Sequence, residues 1–320
     1  MSAQAGRGLP HLAAAIGGRG SGDPVAPADL AALAGLAERG MLDFVTLGDA
    51  FGDSLGDTFG GSGLGAGPGP GSGALSVLSV LAGLAPRTRR IGLVPTLTAA
   101  QADPLRLPET AAALDRVSGG RAGWVLEVPG GRPEAGPARL PRPPRGGPVA
   151  VVDVTDPHVR ALAAAHADVA LVGAATPESA EAVREELRER AAAHGRDPEA
   201  LRVLAALAVD LGGGEGAARP DHGGGGPRGG RGQGRPLYRG GPVDLAELIG
   251  CWHRVGAVDG FHITPVEPHR DLERFVNGTV ALLQHRGLFR TFYPGGTLRE
   301  HLGLERHAAV VRHRVVGGSV

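Results

Sequence analysis

Residues 85–127, APRTRRIGLVPTLTAAQADPLRLPETAAALDRVSGGRAGWVLE, decide the fold class of this chain. The apolar run at 91–94 predicts a buried strand, a helix with apolar positions at helical spacing follows, and residues 122–126 predict a second buried strand. Apolar strands without alternation, joined by a helix, are typical of a parallel sheet that is covered on both faces. Thr96 and Thr98 follow the first strand, at the edge where parallel α/β folds bind ligands.

The rest of the chain repeats this alternation. Further strands are predicted at residues 9–17, 42–47, 149–154, 169–172, 201–211 and 260–264, and helices at 27–39, 74–84, 157–167, 176–194, 243–255 and 271–286. About eight strands, most of them followed by a helix, favour a (β/α)8 TIM barrel over a doubly wound sheet.

We expect a single domain over residues 1–320 with two glycine-rich interruptions. Residues 60–73 predict a flexible loop, because glycine loses the most entropy on ordering and offers no side chain for packing. Residues 212–241 predict a disordered linker or an extended surface loop. The C-terminal run 286–304 is expected to cap the barrel or to contact a partner.

The composition excludes several classes of function. Positive and negative side chains balance at 33 each, so net charge gives no reason to expect nucleic acid as a partner. The sequence contains no lysine, which excludes lysine Schiff-base chemistry and a Walker-type phosphate lysine. The single cysteine, Cys251, excludes an intramolecular disulfide, and its helical context predicts a small buried side chain. No apolar run suits a membrane span and no leader pattern is visible, so a cytoplasmic protein is expected.

Polar side chains at the carboxyl ends of the predicted strands are the candidate site residues, because barrel proteins bind their ligands there. They are Asp49, Thr96, Thr98, Glu127, Thr155, Asp156, His158 and Thr264. Asp49 is explained equally well as a ligand contact and as the cap of a helix or loop. Asp156 is better explained as a helix cap than as an anion contact, because its negative charge would repel an anion. The histidines show no metal-ligand spacing, so no metal is expected.

A resemblance to a known family is carried by four regions in the same order along the chain. They are LDFVTLGDA (42–50), APRTRRIGLVPTLT (85–98), LDRVSGGRAGW (114–124) and the C-terminal pair GAVDGF (256–261) and RGLFRTFYPGGTLREHLGL (286–304). These runs closely resemble the bacterial luciferase-like flavin monooxygenases, in the two-component branch that acts on nitrilotriacetate and dibenzothiophene sulfone. The resemblance implies a TIM barrel that takes reduced FMN from a separate flavin reductase and oxygenates a small-molecule substrate with O2. It also implies a homodimer or a heterodimer.

The resemblance also implies which residues bind the cofactor. The family positions that match Asp49 and Thr96 face the flavin. The run VTDPHVRALAAAHAD (154–168) resembles the segment whose helix N-terminus receives the flavin phosphate. Thr155, Asp156 and His158 are therefore the implied phosphate contacts, and the free N–H groups and dipole of a helix start suit an anion there.

Two departures from the family pattern leave alternatives open. Family members commonly carry a histidine in the polar loop after the Thr96 strand, where this chain has Gln101-Ala102-Asp103. A long family insertion is shortened here to residues 129–147, and without that cover the flavin site would be open to water. The alternatives are a non-catalytic barrel that acts as a partner subunit or binding protein, and an oxidoreductase that uses the deazaflavin F420.

Overall fold

Parallel strands close into a barrel in the computed structural model, which describes residues 8–17, 25–48, 72–98, 107–127, 147–212, 226–228 and 235–304. The strands are β1 (His11–Gly17), β2 (Phe44–Leu47), β3 (Gly92–Thr98), β4 (Gly123–Glu127), β5 (Val149–Asp153), β6 (Val169–Val172), β7 (Arg202–Asp210), β8 (Leu237–Arg239) and β9 (Gly260–Pro265). β1 pairs in parallel with both β2 and β9, and β6 pairs in parallel with β7, so β1–β7 and β9 form a closed ring. The predicted (β/α)8 TIM barrel is confirmed.

Helices surround this ring, and a short C-terminal helix lies at its amino-terminal end. They are α1 (Pro27–Arg39), α2 (Ser72–Leu84), α3 (Leu107–Ser118), α4 (Arg160–His166), α5 (Pro177–Ala193), α6 (Pro242–Val255), α7 (Pro268–Arg274), α8 (Ala281–His285) and α9 (Leu298–His301). Pro177 and Pro242 each stand at the first helical position, where a missing N–H costs nothing. Cys251 on α6 is exposed, so its predicted burial is wrong.

Alternate residues of each strand face the inside of the barrel, because side chains in a strand point to opposite faces in turn. One buried cluster holds the inward side chains, among them Phe44, Val94, Val125 and Val151. The intervening residues pack against the helices in a separate, larger cluster. The polar residues Thr46, Thr96 and Asp153 each lie two residues beyond an inward apolar residue, and the same period therefore places them on the inward face.

The C-terminal run closes the amino-terminal end of the barrel, which confirms the capping prediction. Leu298 of α9 is fully buried in the interior cluster, and its amide donates to the carbonyl of Gly120 at 3.0 Å. Gly92, at the start of β3, has no room for a larger residue, because a Cβ there would lie 2.8 Å from Leu298 Cδ1. The tail is therefore an integral part of the barrel core.

Two predicted segments differ from the structure. Within 212–241, β8 pairs in parallel with the last residues of β7, and Arg228 bridges to Leu237. The prediction of a linker or loop without regular structure is therefore wrong for this part, because the backbone hydrogen bonds of β7 order a glycine-rich stretch that has little apolar pattern. The predicted helix 271–286 begins earlier, at Pro268, and is interrupted by a π-helical turn at Phe275–Val280.

Candidate functional site

Three polar side chains meet at the carboxyl end of the barrel. Arg235, two residues before β8, donates from Nη2 to Asp153 Oδ2 at 2.9 Å and from Nη1 to Thr264 Oγ1 at 2.9 Å. Asp153 ends β5 and Thr264 lies near the end of β9, and these strands are separated in the ring by β6 and β7. The guanidinium therefore spans part of the barrel mouth, with 17% of its side chain exposed.

Asp153 is held as a carboxylate at this position. Burial by itself would raise the pKa of Asp153, but the charge of the Arg235 guanidinium and hydrogen bonds from Arg235 and from the Thr155 amide outweigh it and lower the pKa below its usual value. One of these bonds runs from the Thr155 amide to Asp153 Oδ1 at 3.0 Å. The two oxygens of Asp153 thus connect the barrel mouth to the turn that follows β5.

A buried histidine lies on the inward face one step deeper than Thr264. His262 is 1% exposed, and its Nε2 is hydrogen-bonded to Thr46 Oγ1 at 2.9 Å. Burial, with a further contribution from the positive charge of Arg235, lowers the pKa of His262 to about 3. The imidazole is therefore neutral at pH 7 and serves as a fixed hydrogen-bonding group between the apolar interior and the mouth.

The predicted site residues are only partly brought together. Thr96, on β3, is half-buried on the inward face, and its backbone pairs with Val125. Thr264 lies at the mouth as the strand-end argument predicts. Asp49 lies outside the described residues, as do Gln101 and the side chains of Thr98 and Glu127.

The turn that carries the implied phosphate contacts is largely satisfied by its own hydrogen bonds. The Asp156 carboxylate accepts from the His158 amide at 3.0 Å, which matches the capping interpretation of Asp156. The His158 side chain is exposed. The Thr155 hydroxyl is buried, and no hydrogen bond of ordinary geometry joins it to another described residue. Thr155 and His158 are therefore the side chains of this turn that fit an anionic ligand.

Sequence reasoning missed Thr46, Asp153, His262 and Arg235. The period of two along a strand could have found His262 and Asp153, because each lies on the inward face of a predicted strand. Arg235 follows a glycine-rich stretch with no apolar pattern, and nothing local marks it as a barrel residue.

A cleft of about 250 Å³ lies at the opposite, amino-terminal end of the strands. Its lining includes His11, Arg184, Arg202 and Asp259. Arg184 is already paired with Asp259 at 2.6 Å, and Arg202 donates to the carbonyls of the C-terminal run. These charges hold the barrel base together, and we assign the functional site to the carboxyl end.

The part of the chain that the structure describes contains no group of three or more metal-ligating side chains able to hold an ion. No helix in these ranges is long and apolar enough to cross a membrane.

A closed parallel barrel with a polar layer at its carboxyl end defines the class of (β/α)8-barrel enzymes. The sequence model of the luciferase-like monooxygenases matches residues 11–135 and 127–222. The chain therefore belongs to the luciferase-like monooxygenase family, whose members are flavin-dependent enzymes.

Relatives and solved structures agree with this membership. Nitrilotriacetate monooxygenase component A of Aminobacter aminovorans is 26% identical over 399 residues, covering 84% of this chain and 88% of the relative. EDTA monooxygenase from Chelativorans sp. BNC1 superposes with a TM-score of 0.67 at 17% identity, covering 92% of this chain and 98% of that one. The coenzyme F420-dependent tetrahydromethanopterin reductase of Methanopyrus kandleri superposes with a TM-score of 0.58 at 14% identity, covering 86% of this chain and 99% of the reductase. The two structures support the fold alone.

Proposed function

We propose that this barrel binds reduced FMN at its carboxyl end and uses O2 to oxygenate a small organic substrate, with the flavin delivered by a separate reductase. A reduced flavin supplies the electrons that activate O2, and the protein supplies the pocket. The observation that supports the proposal is the polar layer of Arg235, Asp153, Thr264 and His262 above an apolar barrel interior, in a chain of the luciferase-like family.

The residues of this chain would divide the cofactor between two places. Thr96 faces inward at the end of β3 and would contact the ring system, together with Asp49. The Thr155 hydroxyl and the His158 imidazole would hold the phosphate, while Asp156 shapes the turn as its cap. His262 is neutral and hydrogen-bonded, so in this arrangement it orients Thr46 rather than carrying charge.

The remaining parts of the proposal rest on the family alone. The proposal includes a dimer, formed by two copies of this chain or with a different chain, and a cytoplasmic location. The relatives are named for nitrilotriacetate and EDTA, so aminopolycarboxylates are the first substrates to screen. F420 is the second cofactor to test, because an F420-dependent reductase shares the fold.

A non-catalytic barrel is the second candidate function. The aligned length of 399 residues exceeds the 320 of this chain, so the nitrilotriacetate relative carries residues that this chain lacks. Residues missing from the shortened segment 129–147 would leave the flavin site without a cover. A protein that binds flavin but consumes no oxygen with any substrate would support this second function.

The deciding experiment is anaerobic titration with reduced FMN, and aerobic titration with oxidised FMN, followed by flavin fluorescence. Thr96→Ala should weaken binding about tenfold, the loss of roughly 1.4 kcal/mol of contact. Thr291→Ala, an exposed threonine at the other end of the molecule, is the matched control and should leave binding unchanged. Absence of binding by the unmodified protein at near-millimolar flavin would rule out the monooxygenase proposal.

A further inference from the structure

We propose that Arg235 is a positioning residue for the cofactor phosphate, acting through Asp153 on the turn formed by residues 155–158. This inference rests on the proposed function for the identity of the anion that the turn receives. Arg235 lies outside the family motifs and follows a glycine-rich stretch of the chain.

A continuous set of hydrogen bonds leads from the barrel mouth to the turn. Thr264 Oγ1 accepts from Arg235 Nη1, and Arg235 Nη2 donates to Asp153 Oδ2, each at 2.9 Å. Asp153 Oδ1 then accepts from the Thr155 amide at 3.0 Å. The position of Thr155 is thus fixed by a carboxylate that Arg235 holds from its other side.

Arg235 also compensates the negative charge of Asp153. Asp153 ends β5 two residues before Thr155, and its carboxylate is 14% exposed. A carboxylate so close to a bound phosphate would repel it unless a cation compensated its charge. Arg235 supplies that cation at 2.9 Å. The pair therefore allows an acidic residue to serve as the anchor of a turn that accepts an anion.

Arg235 itself is held in place by regular secondary structure. β8 begins two residues later and pairs with Ala208, Val209 and Asp210 of β7. Tyr238, on β8, is 1% exposed and donates from its hydroxyl to the Gly241 carbonyl at 3.2 Å. A positioning residue must be placed by elements that do not move, and the short β8 provides this placement.

The test compares FMN with riboflavin, which has the same ring system and no phosphate. In Arg235→Ala the affinity for FMN should fall about tenfold or more, because charge-assisted hydrogen bonds are lost and Asp153 is left uncompensated. The affinity for riboflavin should change less than about twofold, since the ring contacts lie elsewhere. Arg235→Lys, which keeps the charge without the planar fork, should recover part of the FMN affinity.

Arg239→Ala is the matched control. Arg239 lies on β8 four residues from Arg235, its side chain is 66% exposed, and its ion pair with Asp210 is 3.4 Å long. We expect wild-type affinity for both flavins. An equal loss of FMN and riboflavin affinity in Arg235→Ala, or an unchanged ratio of the two, would overturn the inference.

Hydrogen exchange without flavin separates this inference from the proposed function. Arg235→Ala should accelerate exchange of the Thr155 amide, whose acceptor Asp153 loses its second support, while the amides of α5 keep their wild-type rates. Unchanged exchange at Thr155 would contradict the positioning role whether or not flavin binds. Failure of the unmodified protein to bind FMN, with faster exchange in the variant, would reject the proposed function and the phosphate assignment but not the hydrogen-bonded link itself.

Discussion

Each end of the barrel holds an aspartate paired with an arginine, but the two pairs differ in burial. At the amino-terminal end, Asp43 is fully buried and is contacted by Arg290 at 2.9 Å and His11 at 3.2 Å. Burial would raise the pKa of Asp43, but the Arg290 and His11 charges and the hydrogen bonds to it lower the pKa to about 2. At the carboxyl end, Asp153 and Arg235 form a comparable pair that remains 14% and 17% exposed.

The difference between these ends lies in what surrounds each pair. The amino-terminal pair is covered by the C-terminal run, where Arg290 also donates to the Met41 carbonyl and Tyr293 to the Leu42 carbonyl. The carboxyl-terminal pair borders on the predicted ligand site. A barrel can thus place its stability at one end and leave the other end free to bind, as the general separation of stability and function in this fold requires. Variants at the amino-terminal end should therefore mainly lower stability, whereas variants of the pair at the carboxyl end should mainly lower flavin affinity.

The largest loss of stability should come from Arg290→Ala. Removal of this guanidinium leaves a buried carboxylate without its main partner, which costs about 3–5 kcal/mol of unfolding free energy. Urea denaturation followed by circular dichroism measures the change. Arg286→Ala, which breaks an exposed pair with Glu247, is the control and should cost less than about 1 kcal/mol. Equal effects of the two variants would contradict the contrast between the ends.

Leu298→Ala should cause the next largest loss of stability. Its side chain fills the base of the barrel and is fully buried, so truncation leaves a cavity at a cost of about 3 kcal/mol. Val117→Ala on α3, where the side chain is 61% exposed, should change stability by less than about 0.5 kcal/mol. Flavin affinity of folded Leu298→Ala should equal that of the wild type. A weakened affinity would mean that the two ends are coupled.

His262 predicts a pH dependence that originates near the mouth. The pKa of His262 is lowered from 6.5 to about 3 in the folded protein. Between these two pH values, this histidine therefore binds a proton in the unfolded chain but not in the folded protein. This contribution to stability is complete above pH 6.5 and is lost as the pH falls toward 3. Between pH 6.5 and 4.5 the loss should reach about 2–3 kcal/mol, at 1.36 kcal/mol per pH unit.

Urea titrations at several pH values test this prediction. His262→Gln should remove most of the decrease over that range, whereas His158→Gln, at an exposed position of the turn, should keep the wild-type dependence. A decrease of the same size in His262→Gln would assign the acid sensitivity to other groups.

Thr264→Val should have the smallest effect on stability, about 1 kcal/mol, because it removes one hydrogen bond to Arg235 and keeps the shape of the side chain. Its effect should instead appear in the ratio of FMN to riboflavin affinity, which should fall in the same direction as in Arg235→Ala. Thermal unfolding and flavin titration of the same samples provide both values. A ratio equal to that of the wild type would limit the positioning role to the Arg235–Asp153 contact.

Much of the fold could be predicted because its signals are local. α1 (Pro27–Arg39) and β6 (Val169–Val172) match their predicted bounds, since an apolar face at helical spacing and a short apolar run are both visible within a few residues. β8 could not be predicted, because its three residues are ordered by pairing with β7 rather than by their own pattern. The π-helical turn within the last long helix likewise left no mark in the apolar period.

The candidate site was predicted less completely. Thr264 and Thr96 could be selected as candidates because the strand-end rule needs only the order of strands and polar residues. The cap formed by Asp156 was also predicted, since capping depends on residues two or three positions away. Arg235 and its pairing with Asp153 could not be predicted, because that contact joins residues 82 positions apart in the chain.

The sequence by itself determined the fold class and the family, and it predicted the end of the barrel at which ligands bind. Each of these follows from short-range patterns or from ordered runs that survive in the chain. The tertiary structure alone decided that Arg235 would meet Asp153 and Thr264, and that the C-terminal run would close the opposite end. The physical reason is that closing a sheet into a ring brings the ends of distant strands together, and the identity of those neighbours is fixed by the closed geometry rather than by any local propensity.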